Sequence, residues 1–236
     1  MIDLKTILLD LIKTRDLQKW VNHRYKNESR VILSKSTLTA ISEFKFDGDI
    51  RLPGNEWTYK NIDSIGQVLT DYHFTDLQPT DRVLDIGANI GIFSLLAAKK
   101  GCKVTALEPL FHQELQYNLA YNNLKATVLP CALGSGSYID IDFAGKKARV
   151  PIITMKKIKE MYGPFNFLKC DCEGGEWTLQ PEDLKGFRRL EMELHQCTHQ
   201  VLPVNWSLVD WIEDNFVTEI ETLKKNRLWL LHAFNG

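Results

Sequence analysis

The chain has 236 residues, 44% of them hydrophobic, and a formal net charge of −1 at pH 7, an ordinary globular composition that excludes a disordered or collagen-like chain. The balance lacks the basic excess that phosphate backbones require, and no apolar run approaches the ~18 residues of a membrane span, so neither a nucleic-acid nor a membrane partner is expected. The N-terminal MIDLKTILLDLI is broken by Asp3, Lys5 and Asp10, unlike a secretory leader, and the five cysteines form no CxxC pair, so a reduced, cytoplasmic protein is the expectation.

In chain order, residues 2–28 read as a helix, with Leu4, Leu8, Leu11 and Ile12 on one face extended by Trp20, Val21 and Tyr25. Residues 31–52 read as extended and irregular, with a turn at Asp47-Gly48, and 62–74 as a helix ending before the QPTD turn at 78–81. RVLDIGA (82–88) is a short apolar strand running into a glycine turn, followed by the apolar helix IGIFSLLAAKK, which Gly101 stops. KVTALEP (103–109) and helix 110–124 repeat that unit, and ATVLPCAL (126–133) is a third strand. SYIDIDF (137–143) and ARVPI (148–152) form a polar surface hairpin, and Thr154 caps a short helix at 155–162. FNFLKCD (165–171) and FRRLEMELH (187–195) are the fourth and fifth strands. After a helix near 206–216, the strands 217–223 and 227–234 are joined so briefly that they must pair antiparallel.

Alternating strand and helix units imply an α/β fold, doubly wound, with a mostly parallel seven-stranded sheet closed by a C-terminal antiparallel hairpin. Residues 76–236 would be this domain and 1–75 an N-terminal appendage of helix and extended segments. Such sheets bind ligands beyond the carboxyl ends of their strands. The first strand ends in Asp85-Ile86-Gly87-Ala88-Asn89-Ile90-Gly91, and the second ends in Glu108, roughly 20 residues on, a spacing that suits a carboxylate on the ribose of an adenosine-bearing cofactor. A dinucleotide would need GxGxxG to receive its pyrophosphate, but Asn89 and Ile92 stand where the second and third glycines belong. S-adenosylmethionine carries a sulfonium and an ammonium instead of phosphate, and Asp85 would attract that ammonium. A tight strand-to-helix turn with no ligand is the plainer alternative for the two glycines.

VLDIGANIGIFS (83–94), VTALEP (104–109), the helix bearing Asn118 and Asn122, and FLKCDCEGGEW (167–177) together resemble the FkbM-type methyltransferases over about residues 60–235. That family is class I and S-adenosylmethionine-dependent, and several members methylate hydroxyls of sugars or polyketides. Its K-x-D-x-E-G-x-E stretch is matched by Lys169, Asp171, Glu173, Gly174 and Glu176, although Cys170 and Cys172 replace the usual apolar residues and Met155-Lys156 stands where relatives often carry an acid. The resemblance implies that Asp85, Gly87, Ala88, Asn89, Gly91, Glu108, Pro109 and Asp171 line the cofactor site, with the backbone near Cys131-Ala132-Leu133 flanking adenine.

Methyl transfer from a sulfonium is an in-line displacement, so the protein must position the acceptor and take up a proton from a hydroxyl. Asp171, Glu173 and Glu176 follow the fourth strand, and Glu193 and His195 end the fifth. Asp171, Glu173 and His195 are the expected acceptor-side set, with His195 or Glu173 as base, while ion pairing or helix capping is the structural alternative for each acid. No [DN]PP[YFW] motif follows strand four, which points to a hydroxyl or carboxyl acceptor rather than a base nitrogen, and a hydroxyl on a small molecule or glycan is the expectation. No resident metal is expected. Zinc on Cys170, Cys172, His195, Cys197 and His199, or Mg²⁺ on Asp171, Glu173 and His195, are the alternatives considered. Trp57, Tyr59, Tyr72, His73 and Phe74 would pack the appendage on the sheet or lid the pocket, with Glu56 near the cofactor's polar end. A nicotinamide-dependent oxidoreductase and a non-catalytic binding module are the competing functions.

Overall fold

The computed structural model describes residues 43–46, 50–54, 58, 61, 67–69, 71–143, 145–196, 203–224 and 227–235. The N-terminal helix expected over 2–28, together with Glu56, Trp57, Tyr59, Cys197 and His199, lies outside them.

Short hydrophobic runs separated by glycine turns and helices fold here as expected for parallel strands buried on both faces. Strands β3 (Arg82–Ile86), β4 (Lys103–Leu107), β5 (Thr127–Leu129), β9 (Phe167–Cys170), β10 (Arg189–His195), β11 (Val217–Lys224) and β12 (Leu228–Phe234) form one sheet in the order β11-β12-β10-β9-β3-β4-β5. Neighbours from β5 to β10 run parallel, while β12 runs antiparallel to both β10 and β11. The last two strands therefore form the expected hairpin, and its second strand wedges between the first and the rest of the sheet. The fold is α/β, with a mostly parallel seven-stranded Rossmann-like sheet.

Sequence alternation sends successive residues to opposite faces. On one face Leu84, Ile86, Leu168, Cys170, Leu190, Met192 and Leu194 pack with residues of α3 (Met155–Tyr162), α4 (Pro181–Leu184) and α5 (Trp206–Asn215). On the other, Val83, Val104, Phe167 and Leu230 pack against Tyr72, Leu77 and Phe93 of α1 (Ile92–Lys99). Thr154 accepts the Lys157 N–H at 3.3 Å, the expected cap of α3.

Two parts of the fold differ from the pattern read along the chain. The run 126–133 is divided: Pro130 and Cys131 interrupt it, and β6 (Ala132–Leu133) leaves the main sheet to pair with β8 (Lys146–Ile153), which also carries β7 (Tyr138–Phe143) as an antiparallel partner. The extended N-terminal stretch contains β1 (Glu43–Phe46) paired with β2 (Ile50–Pro53) on either side of the expected turn. Ile50 and Leu52 of β2 are buried in the same core as Ile92, Leu95 and Leu115. The Asn122 side chain at the end of α2 (His112–Tyr121) ties β2 down by accepting Arg51 N–H and donating to Arg51 O, both at 2.7 Å. This hairpin thus shares its core with the sheet domain.

Candidate functional site

The glycine turn after β3 is held by the second strand: the N–H groups of Gly87 and Ala88 both donate to Leu107 O, at 3.0 and 3.1 Å. Asn89 (φ +51°), Gly87 (φ +72°) and Gly91 (φ +96°) adopt left-handed backbone conformations. A Cβ on Gly87 would overlap the Asp171 carbonyl oxygen, and one on Gly91 would overlap the Leu115 side chain. Both glycines are therefore favoured by close packing of the chain on itself, and the turn they shape brings Asp171 against the end of β3.

Glu108 closes the second turn. Its Oε1 accepts the N–H groups of Leu110 (2.7 Å) and Phe111 (2.9 Å), and its Oε2 accepts Asn89 N–H at 2.7 Å. Burial pushes its carboxyl above the ordinary value, against those three donors. The acid expected to bind ribose is thus also the link between the two turns. Pro109 follows it, its carbonyl 3.3 Å from His112 Nδ1. Asp85 is fully buried; its Oδ2 accepts Ser94 Oγ–H at 2.6 Å, and its Oδ1 lies 3.4 Å from Lys169 Nζ. Burial raises its carboxyl even so. The ammonium that Asp85 meets here is the chain's own, and Lys169 in turn donates to Gly87 O at 2.8 Å. Ala132 sits apart on β6, beside the segment 172–175, where Gly175 approaches Leu133 O.

The carboxyl ends of β9 and β10 gather the acceptor-side residues. His195 Nε2 lies 3.9 Å from Asp171 Oδ1, 3.6 Å from Glu173 Oε2 and 3.7 Å from Glu193 Oε1. Behind it, Glu176 Oε1 receives His195 N–H at 2.7 Å and faces its Nδ1 at 3.1 Å. Asp171, Glu173 and His195 are therefore brought together as expected. Glu173 itself adopts a left-handed backbone conformation (φ +56°), followed by Gly174 (φ +103°). Burial lowers the affinity of His195 for its proton, but Glu176, Glu173 and Asp171 outweigh it and raise the imidazole to about 9. Burial, then the Asp171 charge, lifts Glu193 to about 7.

Two members of this cluster were not selected from the sequence. Tyr72 reaches across from the appendage, its hydroxyl 3.1 Å from both Asp171 Oδ2 and Glu193 Oε2. Burial and the two carboxylates raise its phenol well above 10.0. Glu193, at the end of β10, stands outside the acceptor-side set that the sequence suggests. The signal for it was present in LEMELH (190–195): polar residues alternate with apolar ones on a strand buried along its whole length. Cys170 and Cys172 bring their sulfurs to 3.7 Å, and the second faces Glu176 at 3.5 Å. The Cys170 contact, then burial, raises the Cys172 thiol well above 9.0.

No family model and no curated protein matches the chain. Among solved structures, a putative methyltransferase, yhhF, from Escherichia coli is 16% identical, with a TM-score of 0.49 over 82% of this chain and 99% of the other. A structure of a fibrillarin/Nop5p complex gives 0.46 at 14% identity, covering 73% and 81%. A magnesium protoporphyrin IX methyltransferase from Synechocystis, solved with bound S-adenosylmethionine, gives 0.41 at 13% identity, covering 100% and 99%. These likenesses concern the fold.

Proposed function

We propose that the chain is an S-adenosylmethionine-dependent O-methyltransferase whose acceptor is a hydroxyl on a small molecule or glycan. The observation that carries this reading is the sign of the charges at the sheet's carboxyl edge. Asp85, Glu108 and Asp171 converge on the glycine turn, and Lys169, the lysine that contacts Asp85 and Asp171, is buried behind it, 3% exposed. Such a donor set suits an onium-bearing nucleoside and repels a pyrophosphate. Asn89 Oδ1, buried in the turn without a hydrogen-bond partner among the described residues, is an acceptor that a ligand amine or hydroxyl would satisfy. The resemblance of DIGANIG and KCDCEGGE to the FkbM-type family points the same way.

The cofactor, when bound, supplies a methyl group already activated on sulfur. The chain's residues then have to hold the acceptor and take its proton. Of the acids around His195, Glu173 is the accessible one, its side chain 51% exposed against 27% for Asp171 and 11% for Glu193. An entering hydroxyl reaches Glu173 first, which makes it the base in this reading, while Asp171 orients the acceptor from the opposite side.

Calorimetry of the full chain with S-adenosylhomocysteine and with NAD(H) tests the cofactor. Binding of the first and not the second is expected, and the reverse would move the protein to the oxidoreductases. A labelled-methyl transfer screen over sugars, polyketides and other hydroxylated molecules, read by mass spectrometry, then identifies the acceptor. Transfer confined to nitrogen would remove the O-methylation reading.

A further inference from the structure

We propose that Asp171, Glu193 and His195, with Glu173 at the rim, bind one divalent cation of the Mn²⁺ or Mg²⁺ type. One ligand atom from each of the first three lies within 4.8 Å of the others. His195 Nε2 is 3.9, 3.7 and 3.6 Å from oxygens of Asp171, Glu193 and Glu173. These separations exceed a hydrogen bond. Neighbouring ligands of one octahedral ion, each bonded at about 2.1–2.2 Å, stand roughly 3 Å apart, so these atoms need to close by less than about 1 Å around an ion. Three carboxylate oxygens thus surround the one nitrogen Nε2 at nearly equal range.

The remaining atom of each principal ligand is anchored from behind. Tyr72 sits between Asp171 Oδ2 and Glu193 Oε2, leaving Oδ1 and Oε1 turned to the histidine, and Lys169 Nζ adds a contact to Asp171 Oδ2 at 3.6 Å. Glu176 Oε1 faces His195 Nδ1 at 3.1 Å, and Glu176 Oε2 is itself fixed by Gly174 N–H at 2.8 Å. A carboxylate behind a ligating histidine sets its tautomer, with the proton on Nδ1 and the Nε2 lone pair facing the ion.

Charge points in the same direction. Asp171, Glu173, Glu176 and Glu193 crowd this end of the sheet, and Lys169 is shared with Asp85. A doubly charged ion offsets the excess. Oxygen donors with one imidazole favour Mn²⁺, with Mg²⁺ second because it rarely takes nitrogen, and exclude soft ions. A second group, His73, Glu191 and His232, is equally compact but unsuitable: its imidazoles stack face to face, 4.0 Å between centroids and 17° between planes, so their lone pairs cannot converge.

The site stands or falls independently of methyl transfer, because the test reads the ion directly. The full chain, stripped with chelator and titrated with Mn²⁺ under electron paramagnetic resonance, should bind one ion per molecule, with nitrogen hyperfine coupling from a single imidazole. Glu176→Gln should weaken binding about 10–100-fold through His195, and Glu193→Gln should weaken it further. Glu182→Gln, an exposed acid paired with Lys185, should change nothing. No stoichiometric binding up to roughly 1 mM Mn²⁺, or a bound ion lacking nitrogen coupling in the unaltered protein, would overturn the proposal. So would His195→Ala binding within twofold of the parent. The hyperfine signal needs no variant, so a misfolded substitution leaves the decision intact.

Discussion

Replacing Lys169 with Met isolates the ion pair on which the centre of the sheet depends. Lys169 Nζ is 2.8 Å from Gly87 O, 3.4 Å from Asp85 Oδ1 and 3.6 Å from Asp171 Oδ2, with the side chain 3% exposed and that of Asp85 0%. Methionine fills a similar volume but leaves the Asp85 carboxylate in a dry interior with Ser94 as its remaining hydrogen-bond donor. Removing one partner of a buried pair costs about 3–5 kcal/mol because the survivor is uncompensated. Against a total stability of about 5–15 kcal/mol this is a large fraction, and for a chain of this size it lowers Tm by roughly 6–20 °C. Urea unfolding of the single variant should show that loss. Asp85→Asn combined with Lys169→Met should recover at least half of it, since neutralising the stranded acid removes the penalty; Asp171, 27% exposed, can turn to water. A single variant that loses less than about 1 kcal/mol, or a double variant no more stable than the single, would refute the assignment of Lys169 as the counter-charge of Asp85.

The other expectations concern the turns and the domain's base. Gly87→Ala places a Cβ at φ +72° and against the Asp171 carbonyl, so it should cost at least the ~1–2 kcal/mol of a left-handed non-glycine residue and displace the end of β9, read by unfolding and by loss of S-adenosylhomocysteine affinity. Glu108→Ala strands three backbone N–H groups and should weaken that affinity at least tenfold, about 1.4 kcal/mol. Glu173→Gln should instead lower turnover and leave cofactor affinity within about twofold; equal cofactor loss in both variants would show that the division of roles is wrong. At the opposite edge, Asp81 is held below 3.8 by Arg188, Asn166 and the Gln78 N–H despite the opposing effect of burial. A depressed folded-state carboxyl contributes stability that is present in full above its unfolded value and is lost as pH falls through the folded one. Urea midpoints should therefore drop below about pH 4 in the parent, and Asp81→Asn should flatten that acid limb; an unchanged limb would exclude Asp81 as a contributor.

Much of the fold was legible because it follows from local rules. Apolar runs of strand length, each ended by Gly87 or a polar turn, with Gly101 stopping the first intervening helix, fix the parallel units. A connection as short as that between 224 and 228 leaves only an antiparallel pair. The division of 126–133 was not legible, since Val128, Leu129 and Leu133 continue one apolar pattern and only the partner strand shows that β6 belongs to β8. In the site, the strand-end acids could be found from spacing, and their meeting with His195 followed once β9 and β10 were neighbours. The partners of Asp85 and Glu108 could not. An acid before a glycine turn looks the same in sequence whether it faces a ligand, a lysine on a neighbouring strand far along the chain, or the backbone of the next turn.

Register explains why the polar groups cluster rather than scatter. Asp85 pairs with Lys169, Lys169 with Glu191, and Glu191 with His232, so one row of residues crosses four strands on a single face. Two residues further along β9 and β10, the same face presents Asp171 and Glu193, and then His195. Apolar residues occupy the opposite face throughout, and a slip of one residue would bury the charges among Leu84, Leu168 and Leu190. The segment that covers the polar row is fitted to it: Tyr72 bridges Asp171 and Glu193, while His73 donates its N–H to Glu191 at 2.8 Å and stacks on His232. An apolar side chain at position 72 would leave Asp171 and Glu193 without that hydroxyl, at a cost of about 1–3 kcal/mol or more, while the backbone N–H of residue 73 would still serve Glu191. Residues 72 and 73 therefore belong to the site as much as the strands do, and the arrangement of the acids around His195 depends on a segment upstream of every motif that revealed them.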